Sequence, residues 1–373
     1  MPICGEDIII LRKTFLAVSK INYENKKVYV LDDSGNEEHK LLTEKLGFKY
    51  LSRENKGYMK KAGNLKYGYE NSTGSFIIVF DADFAPHPDF ITELLPYMSD
   101  PRVAIVQSPQ YFQVDKNVHK RSSLEYGAGH VQEDFYRIIQ VSRDQLGGAI
   151  CVGSNAIYRR KALDEIGGTA QIEHSEDVHT GFNLIDKGWK LKYVPLILAI
   201  GLCPSEMHSY FHQQHRWCSG SMSLLFSKKF WLSKIPFKTK LCFMSGFLYY
   251  ISHALSILMT FQVFILLFKH YDFISFKNAI PFYPYIIFTF IILPLFRKTR
   301  RRYGTFVVRT AHLWSYSHAF ISNALKKSVG WKPTNAKIKI SKAYKGMVWF
   351  SAAYLFVYVG LLGLTIYLGR FPA

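Results

Sequence analysis

Three acidic sites and a Gln-Arg-Trp cluster, met in a fixed order along the chain, carry the residue types from which one catalytic cleft could be made. Asp81-Ala82-Asp83 ends the apolar run 75–80, and carboxylates at i and i+2 can both turn into a cleft where a strand gives way to a loop. Such oxygen ligands suit a hard divalent cation, which would also bind phosphate oxygens and stabilise a departing diphosphate. An Asp-x-Asp in a loop serves as an ordinary turn as well. Asp32-Asp33-Ser34-Gly35, after the strand-like 27–31, reads as an Asx turn or as an acceptor for a base or ribose. Lys60-Lys61-Ala62-Gly63-Asn64 opens a helix, where backbone amides and a lysine suit a phosphate or simply face solvent.

Downstream, Ser175-Glu176-Asp177 supplies a candidate general base, because a hydroxyl that displaces a diphosphate must lose its proton as it attacks. Adjacent residues of a helix point about 100° apart, so one of Glu176 and Asp177 is expected to face the cleft, and Asp177 is preferred. In Gln213-Gln214-His215-Arg216-Trp217, helical spacing groups Gln213, Arg216 and Trp217. Trp217 offers a flat apolar platform for a ring, and Gln213 and Arg216 can bind hydroxyls or a diphosphate. His208, His212 and His215 share this helix. With no Glu at the protease spacing and no cysteine partner pattern, a zinc site is not expected.

The elements that must position these groups alternate. Helical patterns cover 8–19, 38–46, 60–70 and a stretch from Pro88; strand-like runs cover 27–31, 48–51, 75–80 and 103–106. A mixed helical stretch over 114–143 precedes a strand over 149–159 that carries Gly153-Ser154-Asn155. A helix over 173–187, a last strand over 191–195 and a helix over 209–223 follow. The alternation predicts an α/β, mostly parallel, Rossmann-like sheet with ligands at the carboxyl ends of its strands, where both acidic clusters fall.

Beyond residue 240 the composition changes. Residues 241–268, 279–296 and 346–369 contain no Asp, Glu, Lys or Arg, and about 20 apolar residues cross a bilayer core, so three transmembrane helices are expected. The stretch 224–240 reads as an amphipathic helix on the membrane surface. Of the net charge of +19, +13 lies in 297–345, which has no acidic residue, and +4 remains for 1–240. Basicity beside apolar spans is the positive-inside pattern of a cytoplasmic loop near anionic headgroups, and it argues against a nucleic-acid partner. Five cysteines without a CxxC pair fit neither a disulfide framework nor a zinc ribbon.

Taken together, Asp-Asp-Ser-Gly, Lys-Ala-Gly-Asn, Asp-Ala-Asp, Ser-Glu-Asp and Gln-x-x-Arg-Trp, in this order and followed by apolar spans, resemble the processive family-2 glycosyltransferases, bacterial cellulose synthase catalytic subunits in particular. The resemblance implies a GT-A domain over 1–223, facing the cytoplasm of a multi-pass plasma-membrane protein. It implies inverting transfer of a sugar, glucose foremost, from a UDP-sugar to a growing β-linked polysaccharide. Glu6, Asp33 and Lys61 would bind the donor, Asp33 at uridine and Lys61 at the diphosphate. Asp81 and Asp83 would hold donor and Mg2+ or Mn2+, and Asp177 would be the base. Gly153, Ser154, Gln213, Arg216 and Trp217 would meet the acceptor or diphosphate, and Trp331-Lys332-Pro333-Thr334, within the basic loop 297–345, matches a segment that closes over the donor in relatives. Ser175 stands where the family usually has Thr. Relatives also carry a strand and membrane helices ahead of the segment matching Pro2 to Glu6, so the resemblance implies either a truncated product or an accessory subunit that supplies those parts. Two other readings are a non-processive transferase acting on a lipid carrier or making a chitin- or hyaluronan-like polymer, and an inactive, truncated membrane scaffold.

Overall fold

The computed structural model describes residues 1–112, 123–270, 273, 275–292, 295–296, 303–325 and 340–369. Its first unit is a parallel sheet of β1 (Pro2–Ile3), β2 (Tyr29–Asp32) and β3 (Lys49–Leu51), in that order. Helix α1 (Ile8–Ser19) is capped by Asp7, which accepts from Ile9 N, and it buries Leu11, Thr14, Phe15 and Val18, the stripe that a 3.6-residue period puts on one face. That stripe shares a core with Val30, Phe80, Phe90 and Leu94. Asn36 caps α2 (Glu37–Lys45) in the same manner, and α3 (Lys60–Glu70) leads to β4 (Phe76–Val79).

The central sheet has the order β4-β8-β6-β9, with β6 at Val103–Gln107, β8 at Ala156–Arg159 and β9 at Lys190–Tyr193. It is mixed, where the sequence predicted a mostly parallel sheet: β8 runs antiparallel to both β4 and β6. The excursion after β6, through α5 (Ser123–Asp134), a π-turn (Phe135–Ile139) and α6 (Gln140–Gln145), returns the chain to the carboxyl end of β6, so the next strand must run back. The reversal is functional in effect. Ala156 opens β8 opposite Val79 and Gln107, which sets Gly153 to Asn155 at the carboxyl ends of β4 and β6. A third small sheet joins β5 (Phe84–Pro86), β7 (Tyr111–Phe112) and β10 (Ala199–Gly201), strands too short for the alternation to announce. Helices α4 (Phe90–Leu94), α7 (Arg160–Asp164), α8 (Glu176–Asp186) and α9 (Met207–Leu225) complete the domain.

The stretch 224–240 is not one interface helix. It holds the end of α9, a five-residue α10 (Lys228–Leu232) and the start of α11 (Phe237–Lys269). Phe230 is fully buried against Phe182, Phe243 and Phe247, whereas Trp231 and Leu232 are exposed. Where three spans were expected, two helices among the described residues are long and apolar enough to cross a membrane, Phe237–Leu266 within α11 and Lys342–Tyr367. The intervening apolar stretch breaks into a 3-10 turn (Ile280–Phe282), a short helix (Tyr283–Ile287) and a π-turn (Phe288–Ile292), because Pro281 and Pro284 remove backbone donors. The basic 297–345 contains α12 (Tyr303–Ala324), whose buried Val308, Ala311, Tyr316 and Ala319 pack it against α9, α11 and α5. The last helix, α13 (Lys342–Tyr367), packs on α11, meets α9 through Tyr344 against His208 and Phe211 and α12 through Phe350 against Trp314, and is largely exposed elsewhere.

Candidate active site

Strand ends build one wall of the site. Asp32, at the end of β2, is fully buried and satisfied by Ser34 N, Ser34 Oγ and the Tyr50 hydroxyl, so its role is structural. Asp33 is gripped by Arg53, with Nε 2.7 Å from Oδ1 and Nη2 2.6 Å from Oδ2, and Gly57 N donates to it at 3.3 Å. After β4, Asp81 N donates to Ser154 Oγ at 2.9 Å, which ties the Asp-Ala-Asp turn to the start of β8. Lys61, in the first turn of α3, reaches Asp81 Oδ1 at 2.5 Å, Glu176 Oε1 at 3.7 Å and the Gly153 carbonyl at 3.3 Å.

Among the described residues four non-glycines adopt a left-handed backbone: Met59, Lys60, Asn155 and Ser175. Each lies within two positions of a candidate site residue, Lys61, Ser154 or Glu176. Such conformations cost on the order of 1–3 kcal/mol each and persist where the surroundings over-determine them. Close approach is evident at two glycines. A Cβ on Gly153, whose φ is +75°, would lie 2.7 Å from Asp177 Oδ2, and a Cβ on Gly220 in α9 would lie 1.8 Å from Ser175 Oγ. Those contacts hold the first turn of α8 against β8 on one side and α9 on the other.

The result is a cavity of about 370 Å³ lined by Glu6, Asp33, Lys61, Asp81, Asp83, Asp177, Gln213, Arg216 and Trp217, among others. Nine candidates scattered over 212 positions thus meet in one place. Burial, with Asp81 alongside, pushes the Asp83 carboxyl up to about 7; burial and the Glu176 charge do the same to Asp177. Burial also raises Glu6, whose Oε2 accepts from Cys4 N at 2.6 Å. Desolvation alone would lower the Lys61 ammonium, yet Asp81 and Glu176 more than offset it and hold Lys61 above its ordinary value. The Arg216 guanidinium is lowered by burial, against the pull of Asp81 and Glu176.

Glu176 lines the same cavity as Asp177, contrary to the expectation that one of the pair would face it. The cavity meets α8 at its N-terminal end, where side chains 100° apart both look into it. Ser154 is fully buried behind Asp81 and does not line the cavity; Gly153 lines a smaller neighbouring hollow with Glu176 and Asp177. Trp331 and Thr334 lie outside the described residues. Sequence reasoning missed Gln110 and Phe112, just beyond the carboxyl end of β6, and Glu173 and His174 before α8. The strand-end rule pointed to the first two. The five cysteines are free. Among the described residues no group of three His, Cys, Asp or Glu could hold a metal ion, and His208 and His212 instead share Ser341. Asp81 and Asp83 still fit a hard divalent cation that keeps phosphate oxygens as its other ligands: the donors are all oxygen, and Asp83 is an anion that burial disfavours.

Residues 76–296 match Glycosyl transferase family group 2. Over 227 residues the chain is 33% identical to the UDP-forming cellulose synthase 1 catalytic subunit of Komagataeibacter xylinus, covering 60% of this chain and 30% of that protein. Over 254 residues it is 27% identical to the cellulose synthase catalytic subunit of Xanthomonas axonopodis pv. citri, covering 67% and 35%. The chain thus spans about a third of the length of these relatives. Among solved structures it is similar to the mannosyltransferase PcManGT from Pyrobaculum calidifontis in complex with GDP-Man and Mn2+, with a TM-score of 0.63 at 15% identity over 88% of this chain and 86% of that one. The shared fold is GT-A-like, with mixed sheets.

Proposed function

The chain belongs to the glycosyl transferase family group 2, and on that premise we propose that it transfers a sugar, glucose foremost, from a UDP-sugar to a growing β-linked polysaccharide, with inversion, at a membrane. One observation carries the reading: a candidate base, Asp177, shares one cavity with the acidic pair Asp81 and Asp83, the cations Lys61 and Arg216, and the aromatic platform Trp217. The relatives' names, cellulose synthase catalytic subunits that form UDP, support the donor and the polymer. The apolar α11 and α13 support action at a bilayer, with 1–223 as the catalytic domain on its cytoplasmic side.

In this reading Glu6 and Asp33 line the nucleoside end, with Arg53 fixing the Asp33 carboxylate. Lys61 and Arg216 supply positive charge to the diphosphate in a desolvated site, where charge-assisted hydrogen bonds are strong. Asp81 and Asp83 would hold Mg2+ or Mn2+, whose chemistry is to neutralise charge developing on the departing diphosphate. Asp177, its Oδ1 accepting from Val178 N, takes the proton of the attacking hydroxyl, which Gln213 and Trp217 orient. Gly153 leaves room for that carboxylate, and Ser154 steadies the turn that carries Asp81.

The test is UDP release from UDP-glucose by membranes containing the protein, with and without Asp177→Asn. General-base catalysis contributes on the order of 10²–10⁴-fold, so the variant should lose at least about 100-fold while still binding UDP with Mn2+. Undiminished release would remove Asp177 from its role. Product retained as long chains supports polymer synthesis; product extracted into organic solvent would mean a lipid-linked acceptor.

A further inference from the structure

Asp81 has its cation supplied by the chain itself. Lys61 Nζ lies among three oxygens from three separate elements, Asp81 Oδ1 at 2.5 Å, the Gly153 carbonyl at 3.3 Å and Glu176 Oε1 at 3.7 Å. Converging oxygen donors of this kind, carboxylate and carbonyl together, are what a hard cation takes. The need for positive charge is severe. Eight carboxyl groups, Glu6, Asp81, Asp83, Glu176 and Asp177 among them, line the cavity against three side-chain cations, Lys60, Lys61 and Arg216.

A divalent cation on Asp81 and an ammonium hydrogen-bonded to that same carboxylate would repel each other across a few ångströms of desolvated space, so they compete. A diphosphate changes the balance, since it offers Lys61 new acceptors and offers the metal new ligands.

We propose that Lys61 is an exchangeable stand-in cation: it occupies Asp81 in the substrate-free protein and swings onto the diphosphate when the donor binds, so that metal and nucleotide load together and poorly alone. Glu176 is the positioning residue of this exchange, a second anchor that keeps the ammonium at the cavity wall while Asp81 is vacated. The inference rests on the nucleotide-sugar reading of the cavity. Reciprocity requires that UDP tighten Mn2+ binding by the same factor by which Mn2+ tightens UDP.

The experiment titrates Mn2+ alone, then Mn2+ with UDP, into the full chain in detergent, followed by calorimetry and by the Mn2+ paramagnetic resonance signal. Wild type should bind Mn2+ at least tenfold more tightly with UDP than without. Lys61→Met should bind Mn2+ alone at least tenfold more tightly than wild type and lose most of the coupling, whereas Lys61→Arg should keep Mn2+ alone weak. Glu176→Gln, which leaves Asp81 as the one remaining carboxylate partner of Lys61, should weaken binding of Mn2+ alone further and gives an independent reading if Lys61→Met does not fold. Unchanged affinity for Mn2+ alone in Lys61→Met, or in Glu176→Gln, overturns the exchange while leaving a UDP- and Mn2+-binding site intact. Failure of wild type to bind UDP even with Mn2+ overturns the nucleotide-sugar reading itself.

Discussion

The two walls of the cavity are held by different physics. On the strand-end wall, charges grip one another: Arg53 clamps Asp33, Lys61 bridges Asp81 and Glu176, and the backbone is forced left-handed at Met59, Lys60, Asn155 and Ser175. On the α9 wall, Gln213, Arg216 and Trp217 ride on a helix fixed from behind by neutral pairs with α12. Tyr210 Oη lies 2.6 Å from His312 Nε2, the Tyr316 hydroxyl donates to Gln214 Oε1 at 2.7 Å, and His215 Nε2 lies 3.1 Å from His318 Nδ1. Damage to the first wall should therefore be local and severe, because a buried charge loses its partner. Damage to the second should move Arg216 and Trp217 as a body and cost less.

Arg53→Met breaks the charged wall hardest. Asp33 is buried with its partner, and leaving such a carboxylate unpaired costs about 3–5 kcal/mol, to be read as lost stability against denaturant in detergent. Gly153→Ala comes next and acts on rate. Its Cβ would press on Asp177 Oδ2, and a displacement of about 1 Å at a reacting group costs about 100-fold in turnover. Gly168→Ala is the matching control: its φ of +92° imposes the same kind of strain, but the new Cβ meets the Tyr69 ring at 3.5 Å, so stability should fall while turnover per folded molecule stays. Equal loss of turnover in both variants would mean that Gly153 serves the fold and not the base.

The same division decides what the sequence disclosed. The strand-end wall was readable because apolar runs ending in acidic residues fall where an α/β sheet binds ligands, and Asp33, Asp81 and Asp83 line the cavity together with Lys61 and Asp177 from two helix starts. The α9 wall was readable only as helical spacing. Its partners on α12 lie about 100 positions away, inside a stretch whose lysines and arginines suggested a loop, and no local pattern pairs Gln214 with Tyr316. The reversed β8 was hidden for a related reason: strand direction depends on where a long helical excursion ends, which period and propensity do not encode. Pro281 and Pro284 were visible in the sequence, and their donor loss outweighed the apolar composition that suggested a continuous span.

Tyr316→Phe probes the neutral wall. It removes the hydroxyl that satisfies buried Gln214, and an unsatisfied buried acceptor costs about 1–3 kcal/mol, less than Arg53→Met on the same denaturation assay. A loss as large as that of Arg53→Met would erase the contrast between the walls.

The smallest effect is the response to pH, read as turnover on one wall and as stability on the other. On the charged wall Asp177 holds its proton up to about 7, so kcat/KM for UDP release should rise with pH and level off above about 7. On the neutral wall burial, with His318 and His212 nearby, pushes the His215 imidazole down to about 3. Its folded value lies below the unfolded one near 6.5, so the unfolded state binds the extra proton, and stability is kept above pH 6.5 and lost as pH falls from there toward 3. His215→Gln should flatten the fall in melting temperature between pH 7 and pH 5 in detergent. An unaltered fall would assign the acid sensitivity to other buried groups, His312 and His318 of the same α9–α12 contact among them.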